Sequence, residues 1–266
     1  MTGRRHVVAV LASAIGLAGA GATLDVAAQG GRGAVVTSAR DGALIDLTGQ
    51  WVSVVNEDWR WRMVTPPKGD AASVPLNAAG RQVTDAWDLE ADRARGELCK
   101  AFGPPGLIRQ PGRLRIRWED ENTLLVEFDA GTQTRRFHFG PAPAAGARSR
   151  QGQSEARWFR QPQSRGIFGR GMRTPGGSLE VVTTNLTAGY LRPNGVPYSE
   201  QAVVKEFFDR FTLPDAGAWL IVTTVVNDPE YLTQEFVISS QFKEETDLSG
   251  WDPRPCDIPP PRVPAP

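Results

Sequence analysis

The chain has 266 residues, with 30 basic and 30 acidic side chains and a formal net charge of zero. This balance argues against nucleic acid as a partner, because phosphate backbones are bound by an excess of Lys and Arg. The length allows a substantial hydrophobic core, and an all-β domain of this size can be a single unit. We therefore expect one folded domain.

The first 28 residues have the pattern of a signal peptide. Arg4 and Arg5 precede an apolar run over residues 7–20, and small residues lead to a cleavage site before Gln29. The pattern predicts a periplasmic or secreted protein, exported by the Sec route rather than the twin-arginine route. Cleavage would leave a net charge of about −1. No later apolar run reaches the roughly 20 residues of a membrane-spanning helix.

Composition divides the remaining chain into segments. Residues 29–43 are predicted to be a flexible N-terminal segment, and residues 44–250 a single β-barrel-like domain. Within that domain, residues 141–177 are predicted to form a long loop or insertion rich in Gly, Pro and small residues, in which only Ala156–Phe159 offers a short strand. Residues 251–266 are dense in proline, which predicts an extended tail.

Aromatic residues mark the start of the domain. Gly49 and Trp51 open the first predicted strand, as in lipocalin-like barrels. The next segment alternates Trp59, Trp61 and Met63 with arginines, which predicts a strand with the tryptophans on one face. Those tryptophans are either a platform for a sugar or an apolar ligand, or ordinary core aromatics with the arginines in water.

One helix is predicted, from Asn77 to Trp87. Asn77 is a suitable N-cap, and Ala79, Val83 and Trp87 recur at helical spacing. We expect this helix to close one end of the sheet. The charged residues 88–97 that follow are predicted to be a solvated continuation or a loop.

Cys99 and Cys256 are the two cysteines of the chain. An exported protein folds where disulfides persist, so a bond between them is predicted, with two free thiols as the alternative. Such a bond would tether the proline-rich tail to the domain.

Three strands are predicted between residues 113 and 139. In the first, Leu114, Ile116 and Trp118 alternate with arginines, as in a half-buried strand. Leu124, Val126 and Phe128 follow on the inner face of the second strand, and Phe137 and Phe139 on that of the third. His138 falls on the polar face. It could transfer a proton or bind a metal, although a lone histidine there is more often a surface residue.

Four further strand-like runs fill residues 178–242. They are separated by turns rich in Pro, Asn, Asp and Gly, so they predict an antiparallel meander. Apolar residues occupy both faces of these runs, which indicates a closed or covered sheet. The predicted fold class is all-β and mainly antiparallel: a single lipocalin-like or calycin-like β-barrel, or a strongly curved sheet, with one short capping helix.

Several short motifs, in order, resemble those of a large family of uncharacterised exported bacterial proteins that are rich in β-structure. They lie between residues 44 and 243: Leu47-Thr48-Gly49-x-Trp51, Asp85-Ala86-Trp87-Asp88, Gly103-Pro104-Pro105-Gly106 after Cys99, Gly131–Phe139, Leu179–Asn185, Tyr198-Ser199-Glu200, Glu206-x-Phe208-x-Arg210 and Asp228-Pro229-x-Tyr231-Leu232. The family usually carries a Gly-His-Trp-Glu-Gly-Asp-like segment, which residues 166–177 replace here. The resemblance implies export and β architecture, and it implies no activity.

Motifs of common enzyme classes do not occur: there is no Gly-x-Ser-x-Gly elbow, His-Glu-x-x-His pair, phosphate-binding loop or dinucleotide fingerprint. One histidine would remain after processing, which excludes a multi-histidine metal site, and no cofactor is predicted. A carboxylate pair is possible among four residues of the meander region: Glu180, Glu206, Asp209 and Asp228. Alternation places Glu206 and Asp209 on opposite faces.

Three functions remain open. The favoured one is a periplasmic binding barrel for a small, largely apolar molecule. The first alternative is a lyase, isomerase or hydrolase using carboxylates and tyrosines in the same cavity. The second is a structural or interaction module without a ligand. The candidate ligand-binding residues are Trp51, Trp59, Trp61, Tyr190, Tyr198 and Tyr231. The barrel interior should discriminate: an apolar cavity favours binding, and a buried carboxylate beside a tyrosine favours catalysis.

Overall fold

A computed structural model describes residues 38–140, 146–160 and 177–261. The predicted signal peptide, residues 29–37, most of the predicted insertion and the last five residues lie outside this description. In chain order the strands are β1 (Gly49–Val54), β2 (Arg113–Asp120), β3 (Thr123–Phe128), β4 (Ala130–Gly131), β5 (Gln133–Phe139), β6 (Gln153–Phe159), β7 (Ser178–Thr184), β8 (Gly189–Arg192), β9 (Val196–Tyr198), β10 (Val203–Leu213), β11 (Gly217–Asn227), β12 (Phe236–Glu245) and β13 (Arg254–Pro255).

Nine of these strands close into a β-barrel in the order β1-β12-β11-β10-β7-β6-β5-β3-β2, with β2 returning to β1. The predicted all-β barrel is therefore confirmed. The four runs of the meander are the neighbouring strands β7, β10, β11 and β12, paired antiparallel throughout. Alternate residues of β10 are fully buried at Val204, Glu206 and Phe208, which identifies the face that points into the barrel.

One barrel pair is parallel. Strands β5 and β6 pair only from Phe137 to Phe139 against Ser154 to Ala156, so the first half of β5 has no partner strand on that side. The chain that leads into β6 lies there instead. Because β5 and β6 pair over only three residues, the wall of the barrel is interrupted beside the first half of β5.

Helices and a hairpin form a second layer, which we call the cap. The helices are α1 (Trp59–Arg62), α2 (Ala78–Ala86), α3 (Leu89–Ala94) and α4 (Pro104–Leu107), and a 3₁₀ turn spans Leu98–Phe102. Strands β8 and β9 are inserted between β7 and β10 and pair with each other as a hairpin. Their turn includes Gly195 at φ +80°, where a Cβ atom would lie 2.2 Å from Trp87 Cγ, so glycine is required.

The predicted capping helix is confirmed as α2, and Asn77 Oδ1 accepts a hydrogen bond from the Gly80 amide at 2.9 Å. The solvated continuation or loop predicted for residues 88–97 is wrong in part, because Leu89–Ala94 form α3. Asp88 caps this helix by accepting from the amides of Glu90 and Ala91. Asp92 is buried, and its carboxylate accepts hydrogen bonds from Trp87, Arg95 and Tyr190.

The strand predicted over Trp59–Met63 is also wrong, because this segment is helix α1. One helical turn places Trp59 and Met63 outward, with 65% and 56% exposure, and turns Arg62 inward. Arg62 Nε donates to the Arg109 carbonyl at 2.9 Å. An alternating pattern over five residues could not reveal that buried contact.

Both ends of the described chain are attached to the barrel. Ala39 N donates to Asn122 Oδ1 at 2.9 Å, within the turn between β2 and β3. The predicted disulfide between Cys99 and Cys256 is present. Beyond β13, which pairs in parallel with β4, the side chain of Ile258 is buried in the core, so part of the predicted tail packs against the domain.

Candidate functional site

The six predicted ligand-binding residues do not lie in one place. Trp51 is fully buried and its indole donates to the Leu47 carbonyl at 3.0 Å, whereas Trp59 is exposed on α1. Trp61 is half-buried and donates to Asp70 Oδ2 at 3.2 Å. Tyr231 is half-buried near α2. Three of the six lie close to buried charged groups: Tyr190 beside Asp92, Tyr198 near Arg135, and Trp61 against Arg192.

Tyr190 belongs to a satisfied network in the cap. Its hydroxyl donates to Asp92 Oδ2 at 2.8 Å, and the Trp87 indole donates to the same oxygen at 3.1 Å. Arg95 donates to the other oxygen at 2.6 Å. Burial, followed by the hydrogen bond to Asp92, raises the pKa of Tyr190. A tyrosine beside a buried carboxylate was the predicted mark of catalysis, but these polar atoms already hold one another, as in a structural network.

The barrel interior is filled largely by side chains. The rings of Phe137 and Phe208 meet across it, with centroids 5.4 Å apart, and Trp51 and Leu179 are fully buried nearby. Such packing resembles other small barrels whose inward side chains form the core.

Within this core lies a fully buried ion pair. Arg135 on β5 and Glu206 on β10 form two hydrogen bonds, of 3.0 and 2.5 Å, and both side chains are at most 1% exposed. The two strands are not neighbours in the sheet, so the pair crosses the interior. Arg135 also donates to Thr183 Oγ1 at 3.1 Å, and Thr183 is hydrogen-bonded to Ser154 at 2.8 Å.

A cleft of about 370 Å³ reaches this pair through the interrupted wall. We call it the β5–β6 cleft. It is lined by Thr134, Arg135, Arg136, His138, Gly146, Ala147, Ser149, Gln151, Gly152, Gln153, Ser154 and Asn185. Arg135 and Ser154 point inward and are buried, whereas Thr134 and Arg136 belong to the outer face of β5. The cleft therefore joins the surface to the polar part of the interior.

Tyr198 lies where the cap meets this region. Its hydroxyl is buried and has no hydrogen-bond partner among the described residues. A Cβ atom on Gly103 would lie 1.9 Å from that hydroxyl, and one on Gly189 would lie 2.5 Å from it, so two glycines make room for the phenol. Burial raises the pKa of Tyr198, and the nearby cations Arg150 and Arg135 oppose this effect.

Several further polar atoms here lack a partner. Arg135 Nε and Arg150 Nη1 are buried donors without an acceptor in the described part of the chain, and Gln151 Oε1 is a buried acceptor without a donor. Buried polar atoms in native proteins are nearly all paired with protein, water or ligand. The surplus of donors suits a partner rich in acceptor oxygens.

His138 lines the outer part of the cleft, where its ring contacts Thr123 Oγ1 at 3.4 Å. Among residues 38–140, 146–160 and 177–261, no group of three or more His, Cys, Asp or Glu side chains could hold a metal ion. The other candidate carboxylates are also occupied. Asp228 caps Ser199 with bonds to its amide and hydroxyl, and Glu180 pairs with Arg157.

Sequence reasoning missed Arg135 as a site residue. Alternation from Phe137 and Phe139 places residue 135 on the inner face, and an arginine on such a face signals a buried ion pair. That signal was available in the sequence. Its partner Glu206 was among the predicted carboxylates, but nothing local in the sequence indicates that the two side chains meet.

A second concave region lies beside a cluster of three aromatic side chains. Trp118, Phe139 and Trp158 pack there with ring centroids 5.2 to 6.5 Å apart, and the Trp158 indole donates to the Ala39 carbonyl at 2.8 Å. A cavity of about 410 Å³ lies between Trp118 and residues 40–48.

No helix in the described ranges is both long enough and apolar enough to cross a membrane. Comparison of the chain with protein-family models, with curated proteins and with solved structures finds no match.

Proposed function

We propose that this protein is an exported small-molecule-binding barrel, and that its ligand is a small polar molecule held in the β5–β6 cleft. The observation that carries the proposal is the cleft itself, which leads through the barrel wall to buried, incompletely paired polar groups. A concave site with a few convergent polar groups is the usual form of a ligand pocket.

The pattern of donors supports a ligand with acceptor oxygens, such as a sugar or a hydroxy acid. Arg135 offers an unpaired N–H group in the lining of the cleft. Arg150 and Tyr198, which are not among the lining residues, offer a further N–H group and a hydroxyl. Glu206 is held by two bonds from Arg135, so its carboxylate is not free to abstract a proton. Binding therefore suits the geometry better than the carboxylate-based lyase, isomerase or hydrolase.

Calorimetry with defined molecules tests this proposal. Monosaccharides, short hydroxy acids and amino acids are titrated individually into the purified protein. We expect at least one class to bind saturably with a stoichiometry of one. If none binds, the β5–β6 cleft is not a site for these ligands and the structural module becomes the better account.

Two tyrosines provide a matched pair of variants. Tyr198→Phe removes a hydroxyl that has no partner among the described residues, so we expect the free energy of unfolding to change by less than about 0.5 kcal/mol and ligand affinity to fall about tenfold. Tyr190→Phe removes a bond to buried Asp92, so we expect a loss of about 1–3 kcal/mol of stability and unchanged affinity. Urea unfolding and calorimetry measure these quantities. Equal effects of the two variants on affinity would contradict the proposed site.

The largely apolar ligand predicted from the tryptophans is a second candidate. One observation favours it: the aromatic cluster of Trp118, Phe139 and Trp158 adjoins, through Trp118, the cavity beside residues 40–48. That candidate would be supported by an apolar fluorescent probe whose affinity for the protein is lowered by Trp118→Ala but not by Tyr198→Phe.

Export is part of the proposal and rests on the pattern of residues 1–28. We expect protein isolated from the periplasm to begin close to Gln29, as measured by mass spectrometry. A soluble species that retains Met1 would contradict the predicted processing.

A further inference from the structure

A cluster of buried arginines lies in the cap and shares no residue with the β5–β6 cleft. Arg62 ends α1, Arg109 follows α4 and Arg192 ends β8, so three separate elements bring them together. All three are among the buried charged residues, and Arg192 is only 1% exposed. Charged side chains are rarely buried unless they are paired.

Each acid of this region is in an ion pair, although Oε2 of Glu57 is buried and has no hydrogen-bond partner among the described residues. Glu57 pairs with Arg62, Asp58 pairs with Arg109 at 3.0 Å, and Asp70 pairs with the partly exposed Arg60 at 2.9 Å. Among the described residues of this region, four arginines therefore face three carboxylates. One positive charge is left over, and Arg192 carries it.

Arg192 lacks any hydrogen-bond acceptor in the described chain. Its Nε, Nη1 and Nη2 atoms are all buried and unpartnered, as are Nη2 of Arg62 and Nη1 of Arg109. The Arg192 guanidinium lies 4.5 Å from the ring centroid of Trp61. This cation–π contact stabilises the charge of Arg192, but the indole provides no hydrogen-bond acceptor for its N–H groups. Burial lowers the pKa of Arg192 to about 10, and Arg109 adds to this effect.

We propose that Arg192, with the free donors of Arg62 and Arg109, binds a compact oxyanion, a carboxylate or a phosphate group. A guanidinium presents two parallel donors that match two oxygens of such an anion. A single negative charge would neutralise the excess charge of the cluster. Trp61 holds the Arg192 plane from one side and thereby orients the site.

The test uses the full chain, prepared in a buffer with chloride as its only anion. Thermal unfolding is then followed against increasing sodium acetate or sodium phosphate, with sodium chloride at matched ionic strength as the reference. We expect acetate or phosphate to raise the unfolding midpoint saturably beyond chloride, because an anion that binds only the folded state stabilises it. The anion that raises the midpoint at the lower concentration shows whether the site prefers a carboxylate or a phosphate group.

Arg192→Met is the decisive variant, with Arg81→Gln on the exposed face of α2 as the control. We expect Arg192→Met to weaken anion binding at least about tenfold and Arg81→Gln to leave it unchanged. Arg192→Met should also unfold no earlier than the wild type in chloride alone, since it removes an unpaired buried charge.

An anion that is already tightly bound would mask this response, so protein purified in chloride is also denatured with acid and analysed by ion chromatography. One equivalent of a carboxylate or phosphate species in the wild type, and none in Arg192→Met, would support the site equally. The proposal is overturned if the wild type releases no oxyanion and shows no response beyond chloride. It is also overturned if Arg192→Met responds as the wild type does.

Discussion

Arg135→Met is expected to lower the free energy of unfolding by about 3–5 kcal/mol, because it leaves the Glu206 carboxylate buried without its counter-charge. Glu206 is fully buried, and both of its oxygens accept from Arg135. A double variant, Arg135→Met with Glu206→Leu, replaces both charges by apolar groups. Such replacements are often neutral or stabilising, so we expect the double variant to recover most of the loss.

The neighbouring residue provides the control. Arg136 forms a two-bond pair with Glu119, but its side chain is 52% exposed on the outer face of β5. Arg136→Met should cost less than about 1 kcal/mol, as is typical of exposed ion pairs. Urea unfolding of the three variants measures the difference. Equal losses for Arg135→Met and Arg136→Met would contradict the placement of Arg135 inside the barrel.

Removal of the disulfide is the second change with a large expected effect. Cys99 and Cys256 are separated by 157 residues, and the chain-entropy model gives about 5 kcal/mol for a loop of this length. Cys256 lies between the β13–β4 pairing and the buried side chain of Ile258, so we expect loss of the bond to weaken both. We expect Cys99→Ala with Cys256→Ala to unfold at a much lower urea concentration than the oxidised wild type.

Reductant distinguishes the bond from other effects of the substitutions. Wild-type protein with reductant should unfold close to the double variant, whereas reductant should not affect the double variant itself. An unchanged midpoint for the reduced wild type would show that the bond contributes little. Ile258→Ala in oxidised protein separates the contribution of tail packing.

The barrel could be predicted from the sequence because its signals are local. Strands β10, β11 and β12 are long, their buried and exposed residues alternate, and turn residues bound them. The two-residue period and the turn residues therefore both predict strands at the same places. Helix α1 could not be predicted in the same way. Its residues alternate like a strand, and the inward position of Arg62 depends on Arg109, which is 47 residues away.

The candidate sites depend still more on distant contacts. The Arg135–Glu206 pair joins residues 71 apart, and the arginine cluster joins α1 to a hairpin that the sequence analysis did not predict. The hairpin β8–β9 was hidden because its turn residues fit a simple link between two meander strands. Long-range pairing of charges has no periodic signature, so only the assembled fold reveals it.

Mapping of amide chemical shifts in isotope-labelled protein tests whether the β5–β6 cleft binds a small polar molecule. The molecule that binds most strongly in calorimetry is titrated, and the perturbed amides are assigned. We expect the perturbed amides to cluster around the cleft and Tyr198, at Gly103, Gln151, Gly152 and Gly189. Perturbations confined to the region of Trp118 and residues 40–48, or scattered without saturation, would contradict it.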